Sequence, residues 1–254
     1  MGEIDWEVVM PTPLPAHVQM ALDEVLLERL IKARRGPTLR FWEWSEPALV
    51  LGSNQALANE VHQDAARALG FTVARRISGG GTMIVEPGRS ITYSIYAPES
   101  LVAGLGFVES FAFFDAWVVD CLRELGVPAG YRRINDIVSP EGKIGGAAQA
   151  RRRGFVLHHT VIAHAMDPGL VARLIRVGSP PVSPRGVRSA EKTVSPLERW
   201  VSLSRDQVVC ALASCFGRRH AAHRGSIAAD ELADARELAE RKYATPRWID
   251  RLSR

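Results

Sequence analysis

Ile134-Asn135-Asp136-Ile137-Val138-Ser139-Pro140-Glu141-Gly142-Lys143-Ile144-Gly145-Gly146-Ala147-Ala148 is the most informative stretch of the chain. Its two arms, 134–138 and 143–148, flank Ser139-Pro140-Glu141-Gly142, whose proline and glycine suit a reversal, so the stretch predicts a β-hairpin. Gly154 to Ala165 predicts a further strand. Upstream, Thr38 to Trp44, Ala48 to Gly52 and Phe71 to Ile77 read as strands, and Thr82 to Val85 and Ser90 to Tyr96 read as two more around a Glu86-Pro87-Gly88 turn. Val18, Met20, Leu22, Val25, Leu26, Leu30 and Ile31 recur at helical spacing over Ala16 to Ala33. Asn59 to Leu69, Leu203 to Phe216 and Ala228 to Tyr243 also read as helices, and the strongly apolar Phe107 to Leu125 predicts a helix packed on a sheet. Hairpins followed by helices imply an α+β fold, a mostly antiparallel sheet covered by helices.

The chain has 254 residues, which suits one large domain or one with a small annex. With 46% apolar and 24% charged residues, it is neither disordered nor fibrous in composition. It lacks an apolar run long enough for a spanning helix, so no membrane association is expected. Met1 to Glu7 is acidic and lacks the basic-then-apolar pattern of a secretory leader, so a cytoplasmic protein is expected. Cys121, Cys210 and Cys215 are odd in number and contain no Cys-x-x-Cys pair, which argues against a disulfide framework or zinc knuckle. Cys210 and Cys215 are expected to be buried in an apolar segment. Net charge is +4, from 32 basic and 28 acidic residues, and favours anionic partners. No nucleic-acid motif accompanies it, so no nucleic-acid partner is expected.

Four places could carry chemistry. Arg75-Arg76-Ile77-Ser78-Gly79-Gly80-Gly81-Thr82 puts three glycines directly after a strand. Such a run is entropically unfavourable unless backbone N–H groups must approach a ligand, phosphate or carboxylate for example. A flexible hairpin loop is the competing reading. It is neither a Walker loop nor a dinucleotide fingerprint, for the spacing and following elements differ. Second, Lys143 is one of only four lysines and stands beside Gly145-Gly146-Ala147-Ala148, where small neighbours leave room for a ligand at the ammonium. A solvated lysine at a hairpin start competes with that. Third, His158 and His159 are adjacent on a strand, so they point to opposite faces and cannot readily share a metal; one is expected to be an inward, satisfied core residue. Fourth, Pro180 to Ser189 is a Pro- and Arg-rich loop whose Arg185-Gly186-Val187-Arg188-Ser189 is either an anion loop or a solvated surface.

In this order, Arg75-Arg76-x-Ser78-Gly79-Gly80-Gly81, Asn135-Asp136, Lys143-x-Gly145-Gly146-x-Ala148, His158-His159 and Val187-Arg188-Ser189 resemble the lipoate–protein ligase A family, within the biotin/lipoate ligase and lipoyl/octanoyl transferase superfamily. The similarity runs from about Leu39 to Trp200, and the tail from Ala239 to Trp248 also looks family-like. The resemblance implies a biotin/lipoate ligase-like catalytic domain over residues 1–200, with a helical extension, 201–254, packed on it. It implies ATP-dependent activation of lipoate to lipoyl-AMP, then transfer to a lysine of a lipoyl-domain protein, with Lys143 as the catalytic cation. Arg76, Ser78, Gly79, Gly80, Gly81, Thr82, Met83 and Ile84 would bind the nucleotide, and Asp136 would assist Mg2+ or orient Lys143. Gly145, Gly146, Ala148 and His159 would line the acyl site. Related transferases carry octanoyl on a cysteine, at positions that fall near Arg133 or Ser179 here; neither is cysteine, which favours the ligase over an octanoyl or lipoyl transferase. A non-catalytic binder of lipoyl domains is a third reading. The long accessory domain of some ligases is missing, so a separate accessory subunit is a further expected partner. Arg89 and Thr160 depart from the family pattern, which has asparagine after the turn glycine and often glycine after the histidines.

Overall fold

The hairpin around residues 139–142 forms, and it belongs to the larger of two sheets. The computed structural model describes residues 4–252; the first three residues of the stretch read as lacking a leader lie outside the described residues. The strands are β1 (Trp6–Val9), β2 (Pro13–Leu14), β3 (Thr38–Trp44), β4 (Ala48–Leu51), β5 (Thr72–Arg75), β6 (Met83–Val85), β7 (Ser90–Pro98), β8 (Gly130–Arg132), β9 (Asp136–Ser139), β10 (Gly142–Arg152), β11 (Phe155–Ala163) and β12 (Ala222–Gly225). The helices are α1 (Ala16–Ile31), α2 (Leu57–Glu60), α3 (Gln63–Ala68), α4 (Phe107–Glu124), α5 (Gly169–Leu174), α6 (Arg205–Arg219), α7 (Ala229–Leu238) and α8 (Pro246–Ile249). Strands in the larger sheet run β12-β1-β3-β7-β11-β10-β9-β8, with β2 beside β3. Pairing is antiparallel from β3 through β8 and parallel at β12-β1-β3. The smaller sheet, β5-β4-β6, is mixed. The fold is therefore α+β with mixed sheets.

Helices cover both faces of the larger sheet, because alternation along its strands presents apolar side chains to each. On one face α4 and α6 pack Trp117, Val118, Leu122, Leu212 and Phe216 against Phe41, Tyr93 and Ile95. On the other, α1 and α7 pack Leu22, Leu26 and Ala235 against Trp42, Trp44 and Tyr96. Leu22 and Leu26 are fully buried, and each such side chain contributes about 1.5–3 kcal/mol. A third core lies against the smaller sheet, where Leu49, Leu51 and Ile84 meet Leu170 and Leu174. Ser204 and Gln207 close a capping box that starts α6. Among the described residues no helix is long and apolar enough to cross a membrane.

Three expectations need correction. Thr82 to Val85 and Ser90 to Tyr96 do not pair: β6 pairs with β4, β7 with β3 and β11, so the Glu86-Pro87-Gly88 turn passes the chain between sheets. The helix expected over Asn59 to Leu69 breaks at Val61, which is extended (φ −118°, ψ 130°) because it bridges Ile175. Cys121 and Cys215 form a disulfide between α4 and α6, Cα atoms 6.1 Å apart, and Cys210 is exposed. Helix packing brings together cysteines separated by 94 residues, which spacing along the chain cannot reveal. Residues beyond 200 supply α6, α7 and α8, and also β12, which lies parallel to β1.

Candidate functional site

A β-bulge places Lys143. β10 pairs Lys143 with Val138 and Gly146 with Asp136, and the register shifts between Lys143 and Gly145. Val138 and Asp136 point to one face, so the extra residue brings Lys143 and Gly146 to that same face. There the Lys143 side chain lies across Gly146: a Cβ at Gly146 would sit 2.5 Å from Nζ. The ammonium is 2.8 Å from Asp136 Oδ1, and Lys192 Nζ is 2.5 Å from Oδ2. Burial opposes ionisation of Asp136, but the Lys143 charge and the hydrogen bonds from both lysines outweigh it and hold the carboxyl below its usual range.

The triglycine loop meets the same face. Ala148, two residues beyond Gly146, points there too, and a Cβ at Gly80 would be 3.8 Å from Ala148 Cβ. Strand geometry puts Gly146 and Ala148 about 7 Å apart, so ammonium and loop border one space. Arg76 shapes the loop. Its Nε donates to Ser78 Oγ at 3.0 Å, Nη1 to Val50 O at 3.0 Å, and Nη2 to Gly79 O at 2.5 Å and Gly81 O at 2.8 Å. Burial, and secondarily the Arg75 charge, pull this guanidinium down to about 9, which still leaves it charged at neutral pH. Arg76 takes the carbonyls of Gly79 and Gly81, and the Gly80 carbonyl packs against Gly52, which leaves the glycine N–H groups as the donors this loop can offer. A Cβ at Gly79 would meet nothing within 4 Å, so open space lies there. Gly80 has φ +86°, a conformation glycine adopts at low cost.

His159 lies opposite Ala148 and faces the loop, with Nε2 2.6 Å from Ser78 Oγ and Nδ1 2.8 Å from Asp23 Oδ2. Burial outweighs the Asp23 contribution and lowers the imidazole, so it is neutral. Nδ1 then carries the proton toward the carboxylate, and Nε2 accepts from Ser78. The order carboxylate, imidazole, hydroxyl is that of a hydrolase triad. Ser78 is only 1% exposed and also receives Arg76, so its hydroxyl is a strut beneath the loop. Asp23 also accepts from Arg40 at 3.0 Å, Ser94 at 3.0 Å and Tyr96 at 2.5 Å. Asp23→Ala strands a buried guanidinium, so unfolding in urea should show a loss of about 3–5 kcal/mol; a loss under 1 kcal/mol would contradict this account.

His158 points the other way, 2.8 Å from Asp115 Oδ1 and 3.1 Å from Gln149 Nε2, so both histidines are buried and partnered. Thr160 accompanies His158 and donates to Asp115 at 2.8 Å, away from the Lys143 face. Arg89 is likewise occupied, donating to Ala165 O. Gly145 is not brought to the Lys143 face; it packs on β11, where a Cβ would be 2.7 Å from Val161 O. Ile84 packs in the third core, and Met83 lies half-buried beside it in β6. Thr82 does join the loop network: its N–H donates to Ser189 Oγ at 2.9 Å and its hydroxyl to Gln55 Oε1 at 3.0 Å.

Glu60 and Lys192 carried no recognised signal, whereas Arg75, Arg188 and Ser189 stood within the quoted motifs. Glu60, 1% exposed, accepts from Ser189 Oγ at 2.5 Å and Thr82 Oγ1 at 3.2 Å, which ties strap 187–195 to the triglycine loop. Arg188 anchors the strap on Ser179 O and Arg176 O. Arg75 donates to Gly52 O, Gln55 O, Trp248 O and Ile249 O. Lys192 reaches Asp136 from the strap. Among the described residues no group of three or more His, Cys, Asp or Glu is arranged to hold a metal. Asp136 does not fit the metal role the resemblance suggested, because ammoniums hold both carboxylate oxygens.

The family described as lipoyl protein ligase A/B catalytic domain matches residues 15–217. The chain belongs to this family. Octanoyltransferase LipM of Symbiobacterium thermophilum is 30% identical, over 97% of this chain and 98% of that protein. Lipoate-protein ligase A subunit 1 of Thermoplasma acidophilum is 27% identical, over 95% and 94%. A crystal structure of lipoate-protein ligase A bound with ATP is 25% identical, superposes with a TM-score of 0.80, and covers 97% of this chain and 98% of that one. Family membership therefore joins this chain to enzymes that are named for both ligase and transferase chemistry.

Proposed function

We propose that this chain is an acyl-adenylate-forming lipoate–protein ligase, which activates lipoate with ATP and passes the lipoyl group to a lysine of a lipoyl-domain protein. The observation that carries it is the shared face of the Lys143 ammonium and the triglycine loop. Activation brings two anions together: a carboxylate oxygen attacks the α-phosphate, and the bond to pyrophosphate breaks. An ammonium at the junction offsets charge in that step, and again when the acceptor amine displaces AMP from the acyl carbon. Loop N–H groups hold phosphate or carbonyl oxygens, Gly146 leaves room for the Lys143 side chain to lie across it, and the small Ala148 leaves width for the acyl chain. The likeness to a ligase subunit 1 supports a second, accessory subunit.

A transferase reading is favoured by the likeness to an octanoyltransferase. A thioester route needs a thiol at the site, whereas Cys121 and Cys215 are joined between α4 and α6 and Cys210 lies on α6, over the opposite face of the sheet. The two readings separate on incubation with lipoate and ATP, or with an octanoyl thioester. The ligase releases pyrophosphate and retains acyl-AMP by mass spectrometry. Acyl transfer from the thioester with no pyrophosphate release from ATP would overturn it in favour of the transferase.

A further inference from the structure

Asp136 holds two ammoniums, and the second comes from outside the β9–β10 hairpin. Lys192 lies on the strap, which is clipped to Lys143 itself: Lys143 N donates to Thr193 O and Ser195 N to Lys143 O, both at 2.8 Å. The clip fixes where Lys192 starts, and Asp136 fixes where its ammonium ends. One carboxylate cancels one of the two positive charges, leaving one in excess on the face shared with the triglycine loop. The side chains of Lys143 and Lys192 are 29% and 39% exposed, so neither ammonium is sealed in. An ammonium has three N–H donors, and the carboxylate takes one from each. The remaining donors of Lys192 are available to an anion beside Lys143.

We propose that Lys192 is a second substrate-binding cation that recognises the phosphate of an acyl-phosphate donor and so sets the donor class. One excess positive charge matches the single negative charge of an acyl-AMP phosphate, whereas the reacting carbonyl of a thioester carries no formal charge for a second ammonium to pair with. This rests on the ligase reading above and narrows it to the donor that Lys192 accepts.

The test uses the full chain and two ligands that differ only in the phosphate: octanoyl-AMP and the neutral ester 5′-O-octanoyladenosine. Affinities are measured by calorimetry for the unaltered protein, Lys192→Met and Lys192→Arg. Loss of a charge-assisted contact should weaken octanoyl-AMP about tenfold in Lys192→Met. The neutral ester should bind all three proteins alike, which also reports that the methionine variant is folded, and Lys192→Arg should restore most of the affinity. Equal weakening of both ligands would make Lys192 a strap support only and overturn the proposal, as would unchanged binding of both or no binding of octanoyl-AMP to the unaltered protein. If that protein releases no pyrophosphate from lipoate and ATP yet binds octanoyl-AMP through Lys192, the ligase reading falls and this one stands. If it releases pyrophosphate and Lys192→Met binds octanoyl-AMP normally, only this one falls.

Discussion

Replacing Lys143 with methionine should cut pyrophosphate release by about 10²–10³-fold, the range seen when a single aimed donor is removed from a reacting oxyanion. The stem and its packing are kept, and only the ammonium goes. Asp136 retains Lys192 at 2.5 Å, so the carboxylate is not left bare and the fold should survive. Thermal melting separates loss of chemistry from loss of structure. On the ligase reading proposed above the ammonium acts in both half-reactions, so transfer from preformed octanoyl-AMP to a lipoyl domain should slow by a similar factor. Release within tenfold of normal, by a variant that melts normally, would remove Lys143 from its assigned role.

Gly52→Ala should damage the same site from the opposite side. A Cβ at Gly52 would land on the Gly80 carbonyl oxygen and lie 3.1 Å from Gly80 C and 3.2 Å from Gly79 C. These are backbone atoms held by Arg76 and by the Ser53 N to Ser78 O hydrogen bond of 2.8 Å, so they cannot swing aside. Overpacking of this kind costs about 1–3 kcal/mol, or several degrees in melting temperature. The larger effect is on activity: a shift of about 1 Å in a positioning loop lowers rate roughly a hundredfold. Gly217→Ala, where a Cβ meets nothing within 4 Å on a helix, is the control and should leave rate unchanged. Normal turnover in Gly52→Ala would show that the triglycine loop need not hold its position.

The strands and long helices were legible because their signals are local. Thr38–Trp44 alternates, Ser139 to Gly142 turns, and Ala16 to Ile31 repeats at helical spacing. Partnership between strands was not legible: nothing in Thr82 to Tyr96 reveals that its two strands join different sheets, since backbone pairing depends on what arrives from elsewhere. β12, Ala-His-Arg-Gly, is mostly exposed and has no apolar signature; it exists because β1 offers an edge. At the site, glycine runs and a scarce lysine stood out by composition. Glu60, Asp23, Gly52 and Lys192 did not, because each matters through a contact distant in sequence. The motif suggested that Arg76 touches ligand, whereas its donors hold the loop from beneath.

The parallel pairing of Trp6–Val9 with Ala222–Gly225 bears on how the protein is made. Strand β1 occupies an inner place in the sheet, yet its outer neighbour β12 is translated more than 200 residues later. During synthesis that edge stays open, a ready template for intermolecular pairing. Nascent chains should therefore depend on chaperone cover until residue 225 emerges, and truncation before it should yield aggregates rather than a smaller working enzyme.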